Sequence, residues 1–238
     1  LKQEVARSQR LASLGSLAAG VAHEIRNPLS SIKGFATYFK ERYRDNPEDR
    51  ETAEVMIREV DRLNRVITQL LEFARPMTMT RVPTSLQQLI RHVLKTVEGQ
   101  ARERGIIVET DLSPEIGEIP LDADRIMQVF LNLCLNAIAA MEGGGTLRIT
   151  LGRQNSRTVR IELADTGIGI SDQDLPRVFD PYFTTKPSGT GLGLPIVHKV
   201  VEAHGGEVTI RSEQGRGTTV TVLLPSVPDT ERNPGDPP

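Results

Sequence analysis

The chain has 238 residues, with 29 basic and 31 acidic side chains, 38% hydrophobic residues and one cysteine. A formal net charge of -2, 4% aromatics and no tryptophan exclude the basic footprint and stacking surface of a nucleic-acid-binding protein. One cysteine excludes an internal disulfide or a cysteine-built zinc site. No stretch reaches the roughly 18–20 apolar residues of a membrane span, so no direct membrane contact is expected.

The first 76 residues read as helix. Taking Leu11 as heptad position a places Leu14 at d, Ala18 at a, Val21 at d, Ile25 at a, Ile32 at a, Phe35 at d and Phe39 at a. This 3-4 alternation marks a helix packed along a narrow seam. Pro28 falls at a d position and is expected to kink the helix, since the pattern resumes in register beyond it. A break follows over residues 44–49, and a second helix is predicted from about Glu51 to Arg75. A helical hairpin alone cannot cover its apolar seam, whereas two hairpins in a four-helix bundle can. A homodimer is the expectation. Residues 1–10 read as the remnant of an upstream signalling helix, and 77–83 as a linker.

From residue 84 helices and strands alternate. Helices are predicted over 86–103, 122–141 and 191–203, and strands over 106–110, 146–151, 158–164, 207–212 and 218–224. The helix from Asp122 to Met141 is apolar nearly all round and should be buried. The fold class is α+β: a helical hairpin of residues 11–76, then an α/β sandwich of residues 84–225 with helices on one face of a sheet. The tail 226–238, with four prolines, is expected to be disordered.

Four elements carry chemistry. Asn132 and Asn136 stand four apart on the apolar helix, hence on one face, and a buried amide needs partners. They either cap nearby loops or offer a carbonyl oxygen to a metal such as magnesium. Asp165-Thr166-Gly167-Ile168-Gly169 follows a strand. Its glycines allow close backbone approach, and its carboxylate can accept from an exocyclic amine such as that of adenine. Residues 178–186, Val-Phe-Asp-Pro-Tyr-Phe-Thr-Thr-Lys, hold three of the nine aromatics and read as a loop anchor. Gly189-Thr190-Gly191-Leu192-Gly193-Leu194 opens a helix, whose N-terminal N–H groups suit phosphate. The spacing fits neither the P-loop nor the dinucleotide fingerprint, and the H-R-D and D-F-G signatures are absent. His92, His198 and His204 have no partner pattern and read as structural, as does Cys134 on the apolar helix.

In this order and spacing the four elements resemble the ATP-binding domain of the histidine-kinase superfamily. Residues 17–29, Leu-Ala-Ala-Gly-Val-Ala-His-Glu-Ile-Arg-Asn-Pro-Leu, resemble the phosphoacceptor motif of sensor histidine kinases of two-component systems. The run 179–197 is most similar to kinases of the nitrogen-regulation type. In the heptad register His23 is an f position and Asn27 a c position, off the seam and so expected to be exposed.

The resemblance implies ATP and Mg²⁺ as cofactors, with Asp165 on the adenine amine and Gly167 and Gly169 lining the base pocket. It implies Asn136 as the magnesium ligand and Asn132 on the phosphates. Gly189, Thr190, Gly191, Leu192 and Gly193 would border the phosphates, and Phe183, Thr184, Thr185 and Lys186 would form a mobile lid. It further implies autophosphorylation of His23 with Glu24 as general base, and transfer to an aspartate on a response regulator receiver domain. Asn27 would orient water for dephosphorylation of that regulator. The chain would be cytoplasmic, or the cytosolic part of a membrane-anchored sensor. A conformational ATPase, a serine kinase of the anti-sigma type and a non-catalytic dimeric scaffold use the same superfamily fold; the His23-Glu24 pair separates the chain from them. Two departures stand out. The second motif reads Asp-Thr-Gly where Asp-Asn-Gly is commoner, and residues 137–141 lack a basic side chain, which leaves Lys186 to meet phosphate charge.

Overall fold

The computed structural model describes residues 24–74, 78–186 and 189–226. His23, residues 1–10 and the tail beyond Ser226 lie outside them. Two compact units are present: the hairpin of residues 24–74 with Thr184–Leu192, and a second unit of Thr78–Phe183 with Gly193 onward.

In the first unit, α1 is helical over 24–42, continuing through Pro28, and α2 spans Pro47–Ala74. Helix α2 starts four residues before the predicted Glu51. The reason is a local cap: the Asn46 side chain accepts from the Glu48 N–H at 3.2 Å and donates to Asp49 at 2.7 Å. Pro47 stands at the first helical position, where no N–H is needed. Polar contacts across the hairpin include Arg26 to Thr68 at 3.4 Å, Lys33 to Asp61 at 2.7 Å and Lys40 to Glu54 at 3.2 Å. Seven residues forward along α1 are matched each time by seven residues back along α2, so the antiparallel register follows the heptad repeat. Hydrogen bonds from Lys40 and then Arg50 hold the Glu54 carboxyl below its ordinary value.

The seam between these helices is not the a/d stripe. Leu29 and Ala36, both e positions, are buried, together with Ala53 and Val60 of α2. The a/d residues Ile25, Ile32, Phe35 and Phe39 stay 41%, 42%, 64% and 40% exposed, and Met56 and Leu63 of α2 are exposed as well. Small residues at 36 and 53 fit the interior of the hairpin, while the larger apolar side chains form a second, outward stripe.

The second unit is an α+β sandwich, as the sequence predicts. Its sheet has the order β2-β4-β5-β7-β6, from β2 (Ile106–Leu112), β4 (Gly145–Arg153), β5 (Thr158–Asp165), β6 (Glu207–Glu213) and β7 (Gly217–Pro225). Strands β2 and β4 are parallel and the other pairs antiparallel. Burial alternates along β5, with Val159, Ile161 and Leu163 inside, so one face is covered. The cover is α3 (Leu86–Glu103) over β2, α4 (Ala123–Ala140) over the centre and α5 (Gly193–Ala203) over β6 and β7. Helix α4 lies between α3 and α5 and buries Ile126, Val129, Phe130, Leu133, Cys134, Ala137 and Ile138. Burial pushes the Cys134 thiol up to about 12, which leaves it a core residue.

Two short strands were not foreseen, β1 (Val82–Thr84) and β3 (Ile119–Leu121), and β1 begins inside the stretch read as a linker. Pro83 stands opposite Pro120 in their antiparallel pair. Proline has no N–H to donate, so this pair takes the non-hydrogen-bonded site that every antiparallel ladder contains.

The N-terminus of α4 is fastened by Asp122, which accepts from the Arg125 N–H at 3.2 Å and from the Thr80 N–H at 3.0 Å. Its own N–H donates to His204 Nε2 at 3.1 Å, while His204 Nδ1 lies 2.8 Å from the Val200 carbonyl. Only the neutral ring with its proton on Nδ1 satisfies both bonds. His204 is 1% exposed. Burial, with the Arg81 charge, lowers its pKa against the Val200 bond and the Asp122 carboxylate, which favour protonation. The folded state therefore binds a proton less readily than the unfolded chain. Stability from this group is complete above the unfolded value of about 6.5 and declines as pH falls below it. Urea unfolding at pH 7.5 and 5.5 should show a larger drop in midpoint for the unaltered chain than for His204→Gln, which is weaker at pH 7.5 and flatter between the two.

Candidate functional site

Helix α4 presents Asn132, Asn136 and Ala140 at successive steps of four, one stripe about 12 Å long. Asn132 Nδ2 is buried and has no hydrogen-bond partner. An unpaired buried amide N–H of this kind costs about 1–3 kcal/mol, a cost that a hydrogen-bonding ligand would remove. Opposite it α5 begins: a Cβ placed on Gly193 would lie 3.8 Å from Asn136 Nδ2 and 4.0 Å from the Asn132 amide. The start of α5 and the two carboxamides are thus neighbours, and N–H groups at a helix start favour an anionic, oxygen-rich group.

At the far end of the stripe the turn after β5 docks on α4. The Ile168 N–H donates to the Ala140 carbonyl at 3.0 Å, and a Cβ on Gly167 would lie 2.6 Å from that oxygen. Asp165 Oδ1 accepts from the Gly167 N–H at 2.9 Å and from the Thr218 N–H at 3.3 Å. Gly169, at φ +66, lies so close to the β6–β7 turn that a Cβ would be 2.1 Å from the Glu213 carbonyl. The Gly215 N–H donates to the Ile168 carbonyl at 2.8 Å. Thr166, the departure from the commoner motif, accepts from the Thr146 N–H through its hydroxyl at 3.0 Å. It ties the turn to the start of β4.

Phe179 packs against His198 with ring centroids 5.2 Å apart and the ring planes tilted by 51°, and the Arg177 guanidinium lies 4.4 Å from the Phe183 ring centroid. Asp180 to Phe183 form a turn closed by the Phe183 N–H on the Asp180 carbonyl, with Tyr182 at φ +67. In the segment Thr184–Leu192, grouped with the other unit, Thr184 Oγ1 accepts from the Lys186 N–H at 3.1 Å. The Gly189 N–H donates to the Lys186 carbonyl, and the Leu192 N–H to Thr190 Oγ1. Gly191 has φ +67 and Thr185 is exposed. Glu24 and Asn27 are exposed on α1; His23 lies outside the described residues.

The structure thus brings together Asn132, Asn136 and Gly193 toward one end of the stripe on α4, and Asp165, Gly167 and Gly169 at the other. Sequence reasoning missed Ser212 and Thr218, which back the turn from β6 and β7. Among the described residues no group of three His, Cys, Asp or Glu is placed to hold a metal.

Residues 13–78 match the His Kinase A (phospho-acceptor) domain, and residues 121–228 the family described as histidine kinase-, DNA gyrase B-, and HSP90-like ATPase. The chain is 46% identical over 225 residues to the sensor histidine kinase ZraS of Escherichia coli, covering 94% of this chain and 48% of ZraS. It spans about half the length of the curated relatives it matches. Histidine kinase ThkA, solved in complex with the response regulator protein TrrA, superposes with a TM-score of 0.70 at 30% identity, over 97% of this chain and 67% of that one. Full-length ShkA in complex with AMPPNP gives a TM-score of 0.74 at 27% identity, over 88% and 45%.

The close approach at Gly169 has a measurable consequence. Gly169→Ala must adopt a left-handed conformation and also displace the Glu213 backbone, at a cost of about 3 kcal/mol. Gly215→Ala, at φ +81 with open space around it, should cost only about 1 kcal/mol. Urea unfolding of the two variants checks the difference.

Proposed function

The chain belongs to the sensor histidine kinases, and on that premise we propose that it binds ATP along the Asn132–Ala140 stripe and transfers the γ-phosphoryl group to His23. The observation that carries this reading is the buried, partnerless amide of Asn132 beside the start of α5. A polar group left unpaired in a core is stabilised when an anion with oxygen acceptors enters. At the other end of the stripe the Asp165 carboxylate accepts from the exocyclic amine of adenine, and Gly167 and Gly169 line the base pocket.

The Asn136 side-chain oxygen would supply the one protein ligand of a magnesium ion otherwise held by phosphate oxygens and water. Such an ion, when bound, neutralises charge on the phosphates. Lys186 adds a positive charge on the lid formed by Phe183, Thr184, Thr185 and Lys186. Gly189, Thr190, Gly191, Leu192 and Gly193 border the phosphates with backbone N–H groups. Phosphoryl transfer depends on position and charge more than on covalent help from the protein. An imidazole nitrogen of His23 attacks the γ-phosphorus, the bond to the bridging oxygen breaks and ADP leaves. Glu24 takes the ring proton. An aspartate of a response regulator receiver domain then accepts the phosphoryl group from His23, and Asn27, one turn further along α1, orients water for its hydrolysis.

The organisation proposed is a signalling-helix remnant over 1–10, a dimerisation and phosphotransfer domain over 11–76, a linker over 77–83, a catalytic domain over 84–225 and a tail over 226–238. The exposed stripe of Ile25, Ile32, Phe35 and Phe39 supports a homodimer, since a second hairpin would cover it. No described helix is long and apolar enough to cross a membrane. The proposed site of action is the cytoplasm, where ATP and receiver domains meet.

Incubation with γ-labelled ATP tests the reading. Acid-labile, base-stable label should appear, and should vanish in His23→Ala and Asn136→Ala while both variants keep the mass of the dimer. Phosphate release without bound label would favour a conformational ATPase, and nucleotide binding with neither would favour a scaffold. Phe35→Glu should shift the protein from dimer to monomer in light scattering, because a charge at the centre of the stripe would lack a partner.

A further inference from the structure

Ser212 belongs to none of the four sequence motifs, yet its hydroxyl makes three polar contacts behind the turn of residues 165–169. Ser212 Oγ accepts from the Ile170 N–H at 2.8 Å and lies 2.9 Å from both the Gly217 carbonyl and Thr218 Oγ1. A hydroxyl has one proton and two lone pairs. Donation to the Gly217 carbonyl, with acceptance from Ile170 and from the Thr218 hydroxyl, uses all three. Strand register gives this cluster its direction. Thr218 is the cross-strand partner of Ser212 on β6 and of Asp165 on β5. Asp165, Thr218 and Ser212 therefore form one row across three strands, and the Thr218 N–H donates to Asp165 Oδ1. Gly217 presses so close that a Cβ there would lie 2.0 Å from the Asp165 carbonyl oxygen. A single hydroxyl thus holds both ends of the turn: Ile170 directly, and Asp165 through residues 217 and 218.

We propose that Ser212 is a positioning residue for base selection, its hydroxyl fixing the aim of the Asp165 carboxylate at the exocyclic amine of a 6-aminopurine. The inference rests on the proposed role of Asp165 in reading adenine. A hydrogen bond to a charged group is strongly directional. Loosening the row therefore costs affinity for the amine while leaving the rest of the pocket as it was.

The test compares ATP with purine riboside 5′-triphosphate, which lacks the 6-amine, as ligands of the full 238-residue chain. The unaltered protein should prefer ATP by about tenfold or more. Ser212→Ala should weaken ATP binding about fivefold to tenfold, leave affinity for the amine-free triphosphate unchanged, and so erase most of the preference. Ser212→Thr should restore it. Unchanged binding of the amine-free ligand also shows that the pocket is folded, and Ser212→Cys gives the same comparison where the alanine variant is unstable. A Ser212→Ala protein that keeps its full preference, or loses both ligands equally, overturns the proposal. A preference that vanishes in Asp165→Asn but survives in Ser212→Ala sinks the role of Ser212 alone. No preference in the unaltered chain removes the Asp165 reading, and this one with it.

Discussion

The second unit is organised by the burial of a helix that is not wholly apolar. Helix α4 packs on α3, α5 and the sheet, and its aliphatic residues leave one stripe for Asn132 and Asn136. Everything around α4 deals with its polar groups. Asp122 caps the first turn and is itself bound by the neutral His204. The Ile168 N–H takes the Ala140 carbonyl in the last turn. Among the described side chains of α4, Asn132 Nδ2 is buried without a partner. That omission is informative, because the same core could have carried a leucine there at no polar cost.

The hairpin shows that a repeat locates an apolar stripe without naming the neighbour that covers it. Heptad spacing is legible in Ile25, Ile32, Phe35 and Phe39, and the Arg26, Lys33 and Lys40 contacts across the hairpin follow the same step of seven. Periodicity says that a stripe will be covered; it does not say by which neighbour. Here Leu29 and Ala36 serve the inner seam, and the larger side chains face outward. The start of α2 was legible too, in Asn46-Pro47, but the surrounding charges read as loop.

In the second unit, one-sided burial made the strands of the main sheet and helices α3, α4 and α5 legible within a few residues. Strands β1 and β3 were not, because three residues carry no periodicity and each contains a proline. The same limit applies to the site. Asp165, Gly167 and Gly169 announce a special turn by their own chemistry, and the Asn132–Asn136 spacing announces one helix face. Ser212 and Thr218 look like ordinary positions of a hairpin. Their connection to Asp165 exists only in the pairing of β5, β7 and β6, which is a property of the sheet and of no local window.

The glycines divide the stripe into two mechanical regimes. At the Asp165 end, Cβ atoms on Gly167, Gly169 and Gly217 would meet backbone at 2.6, 2.1 and 2.0 Å. Backbone in such contact has no slack, and the hydrogen bonds of Ser212, Thr166 and Gly215 fasten it further. At the Asn132 end the contacts of Gly193 are ordinary ones of 3.8 to 4.0 Å. On the proposed reading, a base at the stitched end would meet backbone that is already ordered, at little further entropic cost. Adaptation is left to the end where α5 begins. For the proposed phosphoryl transfer this division would be the useful one: the base would stay fixed before and after transfer, while the phosphate groups change in number and charge. A site rigid throughout would hold the product as firmly as the substrate. One loose throughout would leave the reacting phosphorus without a defined position.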